Sequence, residues 1–358
     1  MSTKGYHSYR GRQTARQRIL IVLLVVILCL ACSFLFLQSY ISYDDDGSLR
    51  FDSPFGQEEV PDQPNEPELP DMNLVIDAPG SVEPEEEEDP EETTYGAYRL
   101  VELGQIPEGG TSLRSTLEQA GANGFAYTVR DNTGRVFYSS VAALRSAVEA
   151  PAGSDRLAEL CGQEDIRSVA RFNCLHDSYY AWMNMTEAGI CQSNGHIWYD
   201  NISYHWLDAE KEKACQYVVG LARELAEMGF DELLLEELSY PANGKLEKID
   251  YSGNTQEKTE ALKNLLLEIR ETVQPYGTGL TMVLDARLLD ETTREDYIRS
   301  SGVDPSVLLP LVDAVYVETD DLTGAESALS ALVGEQMPAV VPMTNQGADG
   351  ERWYLTEG

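Results

Sequence analysis

Acidic residues stand at or shortly after the ends of apolar runs at five points along this chain. Arg130-Asp131 follows Phe125–Val129, and His176-Asp177 follows Val169–Phe172 with Arg171 inside the run. Glu236-Glu237 follows Leu233-Leu234-Leu235, Asp285-Ala286-Arg287 follows Leu280–Leu284, and Glu318-Thr319-Asp320-Asp321 follows Val315-Tyr316-Val317. Two carboxylates directly after an apolar strand are costly unless they are solvated or paired in a cleft. Arg171, Arg287, Trp198, Tyr204 and Trp206 are interleaved with these acids. Such a set suits a sugar: aromatic rings stack on sugar faces, carboxylates bond hydroxyls, and a pair of carboxyls supplies the acid and base of glycoside cleavage. On this reading Glu236 is the acid/base and Glu318 or Asp285 its carboxylate partner. Arg130, Asp131, Arg171, Trp206 and Glu237 then bind substrate. The plainer reading of any single acid is a solvated residue or a helix cap.

These residues meet only if the elements before them open onto one mouth. Short β-rich runs alternate with helical periodicity from Tyr98 onward. The strands expected are Tyr98–Glu102, Gly124–Arg130, Ile166–Asn173, Glu232–Leu238, Gly279–Asp285, Val312–Glu318 and Pro338–Pro342, with Arg352–Leu355 as an eighth. The helices expected are Thr111–Ala120, Val141–Val148, Asp208–Met228, Thr255–Gln274 and Gly324–Val333. Asp208 reads as an N-cap and Gly229 as the C-cap of the long helix. Leu233-Leu234-Leu235 and Leu280–Leu284 are apolar on both faces, as a covered parallel sheet requires. Seven or eight β/α units over 97–358 predict an α/β fold, a (β/α)8 TIM barrel, with an irregular or incomplete C-terminal end allowed for. Chemistry in such a barrel sits at the C-terminal strand ends. A doubly wound sheet is the runner-up, weakened because no Gly-rich dinucleotide turn follows the first strands.

The charge is uneven. The whole chain of 358 residues carries 61 Asp+Glu against 26 Lys+Arg, a net −35. That excess disfavours nucleic acid, whose phosphates need a cationic face. Residues 1–43 hold five bases and no acid, whereas 44–96 hold 19 acids, one base and eight of the 16 prolines; the rest carries −22. Ile19–Leu37 is an uncharged apolar run of 19 residues. At about 1.5 Å per residue it matches a hydrocarbon core of ~30 Å. Basic residues precede it and Asp44-Asp45-Asp46 follow, which orients the N-terminus to the cytoplasm. The expected organisation is a basic cytoplasmic stub (1–18), a transmembrane anchor (19–41), a disordered acidic Pro-rich linker (42–96) and a folded extracellular domain (97–358). The chain is then a single-pass protein of the cell membrane, anchored by one N-terminal helix. An extended spacer of this length reaches on the order of 160 Å, which suits a glycan of the cell wall or another polysaccharide as partner.

Gly121–Ser140 (GANGFAYTVRDNTGRVFYSS), Ile166–Asp177, Trp206-Leu207-Asp208 and Phe230–Pro241 (FDELLLEELSYP), in that order and at those spacings, resemble a family of bacterial TIM barrels known as a "putative glycosyl hydrolase domain". The resemblance covers most of 97–320. It implies a secreted or membrane-anchored barrel acting on a glycan; no cofactor is expected. The sequence departs from the family pattern at several strand ends. The family's acid on strand two is Thr128 here, although Asp131 is retained. Its Asp after strand four is Glu236, and the Arg three positions on is Ser239. The stretch after Asp313 is replaced by Val315-Tyr316-Val317-Glu318-Thr319-Asp320. These departures sustain a second reading, a catalytically inactive barrel that binds glycan or a protein of the cell envelope, and leave turnover itself open.

Other signals are weak. His176, His196 and His205 lack metal-ligand spacing, so no metal is expected. Cys161, Cys174, Cys191 and Cys215 contain no CxxC, and the sequence does not choose between core thiols and a bridge.

Overall fold

The computed structural model describes residues 41–43, 49–51, 99–344 and 353–355. Stub and apolar run lie outside the described residues, as does most of the linker. Among the described residues no helix is long and apolar enough to cross a membrane. Within the stretch read as the anchor's end and the spacer, Ile41–Tyr43 pairs antiparallel with Leu49–Phe51. The alternation of apolar and polar residues in Ile41-Ser42-Tyr43 and Leu49-Arg50-Phe51 is the strand signal that the linker composition masked.

Eight parallel strands close into a barrel: β1 (Arg99–Glu102), β2 (Gly124–Arg130), β3 (Arg167–Asn173), β4 (Glu232–Glu236), β5 (Gly279–Leu284), β6 (Ala314–Glu318), β7 (Ala339–Thr344) and β8 (Trp353–Leu355). Strand β8 pairs with both β7 and β1, so the sheet has no edge and is not doubly wound. The architecture is a TIM-like α/β fold. Helices α1 (Gly110–Ala120), α2 (Leu157–Cys161), α3 (Ser178–Met183), α4 (Glu212–Met228), α5 (Lys258–Val273), α6 (Arg294–Ser301), α7 (Pro305–Leu308) and α8 (Leu322–Val333) connect the strands.

Side-chain alternation divides the core in two. Leu100, Ala126, Val169, Leu234, Ala314, Tyr316, Val341 and Met343 form one cluster, the barrel interior. Phe125, Tyr127, Val129, Phe172, Leu233, Leu235, Met282 and Leu284 join the larger cluster shared with the helices. Successive strand residues point to opposite faces, so residues two apart share the interior. That parity carries Leu100 to Glu102, Ala126 to Thr128, Val169 to Arg171 and Asn173, Leu234 to Glu236, and Tyr316 to Glu318. The polar residues at the mouth therefore continue the apolar rows of the interior. Toward the opposite end Arg167 donates to Glu232 Oε2 at 2.9 and 2.7 Å, and Thr281 Oγ1 donates to Glu232 Oε1 at 2.7 Å.

Two expectations are corrected. Val141–Val148 is not a helix. Val136 bridges to Arg130 and Val148, and Glu224 of α4 accepts from the backbone N–H groups of Val141 and Ala142 at 2.8 Å and from Ser140 Oγ at 2.6 Å. Val136 N donates to Ala147 O at 2.9 Å and Glu149 N donates to Val136 O at 2.8 Å, so the end of the segment pairs with Val136 instead of closing helical turns. Nor does Asp208 cap α4, whose N-cap is Lys211. Asp208 is buried and accepts from Tyr240 Oη at 2.9 Å and Asn254 Nδ2 at 3.3 Å, tying the β4–α5 connection to the segment before α4. Gly229 does cap α4, with φ 95°, and its N–H reaches Ala226 O.

Arg130 and Asp177 form an ion pair with both side chains fully buried. Arg130 also donates to the backbone carbonyls of Asn173 and Cys174, and Asp177 caps α3 by accepting from Tyr180 N at 2.7 Å. Gly134 (φ 90°) closes the turn after β2 against this pair; a Cβ there would lie 2.2 Å from Asp177 Oδ1. Removing one partner of a buried pair strands the other charge in a medium that solvates it poorly. Asp177→Ala is therefore expected to cost about 3–5 kcal/mol, measured by urea unfolding; a loss below about 1 kcal/mol would place this pair with surface salt bridges.

Candidate active site

The C-terminal ends of β2 to β6 surround a cavity of about 560 Å³. Glu236 and Glu237 line it from β4, Asp285 from β5, Glu318 from β6, Arg171 and Asn173 from β3, and Asp131 and Thr128 from β2. The carboxylates singled out in the sequence thus share one mouth. A smaller chamber of about 280 Å³, lined by Trp206, His176, Asp200 and Arg287, shares Glu237, Ser239, Asp285, Tyr297 and Asn132 with it.

Arg171 organises the floor. Its guanidinium donates to Glu236 Oε1 at 2.9 and 2.5 Å and to Glu102 Oε2 at 2.5 Å, while Thr128 Oγ1 donates to Glu102 Oε1 at 2.8 Å. All three charged side chains of this bridge are less than one-fifth exposed. The family's acid on β2 is absent at Thr128, and Glu102 from β1 occupies the other end of the Thr128 hydrogen bond. Glu102 lies two residues beyond Leu100 on the same strand face, which is the sequence signal that would have found it.

Glu237 and Asp285 are neighbours with opposite electrostatics. Glu237 leaves the strand with φ 47°, a left-handed conformation uncommon outside glycine, and so breaks the alternation that would have turned it away from the interior. Its surface stays open to the cleft, but protein atoms crowd it. That loss of solvation, followed by the charges of Glu236 and Asp285, raises its carboxyl above the ordinary range despite opposing contributions from Ser239 and Arg287. Burial also works against a charged Asp285, but Arg287 outweighs it. The backbone N–H and Nε of Arg287 donate to Oδ1 at 2.9 and 2.8 Å and a terminal nitrogen to Oδ2 at 2.6 Å, so the carboxyl falls below its usual range. The Arg287 guanidinium lies 4.2 Å from the centre of the Tyr297 ring. One carboxyl is thus biased toward its protonated form and its neighbour toward its charged form, the division of labour that acid–base chemistry uses.

The remaining sequence candidates divide. Glu318 is exposed on the cavity rim. Asp131 lines the cavity, but its Oδ1 is occupied by Thr133 N, Thr133 Oγ1 and Arg135 N at 2.7–3.0 Å, which shape the turn after β2. Arg130 is no substrate ligand: it is fully buried, outside the cavity wall and paired with Asp177. Trp206 lines only the smaller chamber, 6 % exposed, stacked on His176 at 4.3 Å and donating to Asp200 Oδ2 at 3.2 Å. Trp198 is buried and serves the scaffold, donating to Lys245 O. The four described cysteines are free, and Cys174 is fully buried behind β3.

A carboxyl raised in the folded state binds a proton that the unfolded chain releases. Stability from Glu237 is therefore undiminished below the unfolded pKa and declines as pH rises toward the folded one. Glu237→Gln removes that decline. Thermal melts at pH 4 and pH 7 should show the variant gaining on wild type at pH 7; an unchanged difference between the two pH values would show that Glu237 titrates as a free carboxyl.

Residues 111–285 match the model of a family described as "Putative glycosyl hydrolase domain". No curated protein matches the chain. Among solved structures, a hypothetical protein from Ruminiclostridium thermocellum aligns at 22% identity and TM-score 0.42 over 53% of this chain and 97% of its own. The glycoside hydrolase domain of PgaB (BpsB) from Bordetella bronchiseptica aligns at 13% and 0.46 over 69% and 84%. A GH20 exo-β-N-acetylglucosaminidase from Vibrio harveyi aligns at 11% and 0.45 over 69% of this chain; this chain spans 41% of that enzyme. The resemblance read from Gly121–Ser140, Ile166–Asp177, Trp206-Leu207-Asp208 and Phe230–Pro241 is borne out by the family match: over residues 111–285 the chain is similar to the family described as a putative glycosyl hydrolase domain.

Proposed function

We propose that the chain is a glycosidase of polysaccharide, built as a (β/α)8 barrel and tethered outside the cell by the apolar run Ile19–Leu37. The observation that carries the catalytic reading is geometric: Glu237 and Asp285 line one cavity, and Arg287 donates to both oxygens of Asp285 while Glu237 accepts from Ser239 Oγ at 3.5 Å. Glu237 gives its proton to the glycosidic oxygen as the bond to the anomeric carbon breaks. Asp285 is the carboxylate partner; water supplies the hydroxyl that ends on that carbon, and the proton the water gives up is taken by a carboxylate of this pair. The sequence pattern favoured Glu236 as the acid; Glu237 suits the role better, because Oε1 of Glu236 is already engaged by Arg171. Glu236 and Glu318 then serve as negative charges and hydroxyl acceptors around the sugar, with Arg171 holding Glu236 in place.

A non-catalytic glycan binder is favoured by a different observation: Glu236 and Asp285 are each already tied to an arginine. Reducing-sugar release from cell-wall and plant polysaccharides separates the two. Wild type should release product, with Glu237→Gln and Asp285→Asn each lowering kcat by about 100-fold or more. The rate should fall as pH rises through the raised pKa of Glu237. Binding without release by wild type would establish the binder.

Tethering has its own test. The full chain is expected in the membrane fraction of its host, with residues 97–358 cut by protease added to intact cells; recovery in the soluble fraction contradicts the anchor.

A further inference from the structure

The larger cavity and the smaller chamber share five wall residues, among them Glu237 and Asp285. The two carboxyls therefore stand between two spaces, with room for ligand on either side of them. In the smaller chamber the charged groups already have partners. Arg287 donates to both oxygens of Asp285, and Asp200 accepts from Ile202 N and Tyr204 N at 3.0 Å and from Trp206 Nε1 at 3.2 Å. What this chamber presents instead is amide. Asn201 and Asn243 line it and are exposed, the first from the α3–α4 connection and the second from the β4–α5 connection. Asn201 sits at the tip of the turn that Asp200 ties, with Ser203 in the left-handed region at φ 68°. Asn243 Oδ1 accepts from a terminal nitrogen of Arg287 at 3.3 Å, which leaves its amino group to donate elsewhere. The guanidinium that holds Asp285 thus also orients Asn243. Ile202, 59 % exposed, adds apolar surface at the lip.

We propose that the smaller chamber is a second sugar subsite, in which Asn201 and Asn243 bond the hydroxyls of a neutral sugar while the next sugar of the same chain occupies the larger cavity. The linkage between the two sugars then lies at Glu237 and Asp285. The assignment rests on the glycan reading above and deepens it, because it makes the ligand a chain of two or more neutral sugars rather than one sugar on a non-sugar group. An amide both donates and accepts, which matches a hydroxyl. An anionic sugar finds no such match, since Glu236, Asp285 and Glu318 in the larger cavity outnumber Arg171.

The test is calorimetry on the full-length chain carrying Glu237→Gln to suppress turnover, with Asn201→Ala and Asn243→Ala added singly and together. The probes are cello-, xylo-, manno- and laminarihexaose, their parent monosaccharides, and hexagalacturonate. At least one neutral hexaose should bind about tenfold or more tighter than its monosaccharide, and hexagalacturonate should not bind. Each asparagine substitution should weaken that hexaose about three- to tenfold, and the two together about tenfold or more. Neither should move the melting temperature by more than about 2 °C, because both side chains are exposed; a larger drop would mark a structural role and overturn the assignment. A hexaose bound equally by the double variant, or no better than its monosaccharide, would overturn the subsite and leave the glycan reading standing. Hexagalacturonate bound as tightly as the neutral hexaose would overturn the neutral class, and binding of no hexaose would overturn both readings. A wild type that binds hexaose through these asparagines without cleaving it would defeat the catalytic reading and support the subsite.

Discussion

Arg171 is the constraint on which the mouth of the barrel depends. It rises from the interior face of β3 and holds Glu102 of β1 and Glu236 of β4, so one guanidinium spans both flanks of the floor. Without that bridge, two carboxylates would face each other in a partly desolvated cavity, and their repulsion would splay the strand ends. With it, Glu236 is held in place and Glu237, one residue further, is left to experience the remaining negative charge. The left-handed turn at Glu237 completes the arrangement by returning to the cleft a side chain that strand alternation would have sent outward. Strained backbone of this kind persists where the surroundings over-determine it.

Beneath this layer the Arg130–Asp177 pair performs a related task without touching the cavity. It ties the end of β2 to the carbonyls that leave β3 and to the start of α3, so the loops carrying Asp131 and Asn132 have a fixed base. Asp131, whose Oδ1 shapes its own turn, and Trp206, which stacks on His176 in the smaller chamber, belong to the same supporting level. The mouth is thus built in tiers: an apolar interior, a bridging guanidinium, then carboxyls with opposed proton affinities.

Much of this was legible in the sequence. Strand β2 begins and ends at the residues its pattern predicts, and the remaining barrel strands differ only near their ends, because their β-branched and apolar runs are bounded by clear turn or helix signals. The convergence of Glu236, Asp285 and Glu318 followed from barrel topology alone. What escaped was information carried by contacts rather than by local pattern. Val141–Val148 has helical periodicity, but its end pairs with the backbone of Val136, and Glu224, some 80 residues away, anchors its start. Arg130 looks like a mouth residue until Asp177 is seen beside it. Glu102 and Asn173 share the parity of Leu100 and Val169, a signal present in the strand alternation but eclipsed by the more conspicuous acids. The proton affinities of Glu237 and Asp285 depend on Arg287 and on crowding, which no single segment reveals.

The most direct measurement is a titration of the side-chain carboxyl carbons of Glu237 and Asp285 by NMR in selectively 13C-labelled protein, assigned through Glu237→Gln and Asp285→Asn. Glu237 should titrate above the ordinary glutamate value near about 4.3 and Asp285 below the ordinary aspartate value near about 3.9. Both carboxyls titrating at those ordinary values would contradict the division of roles at the mouth of the barrel.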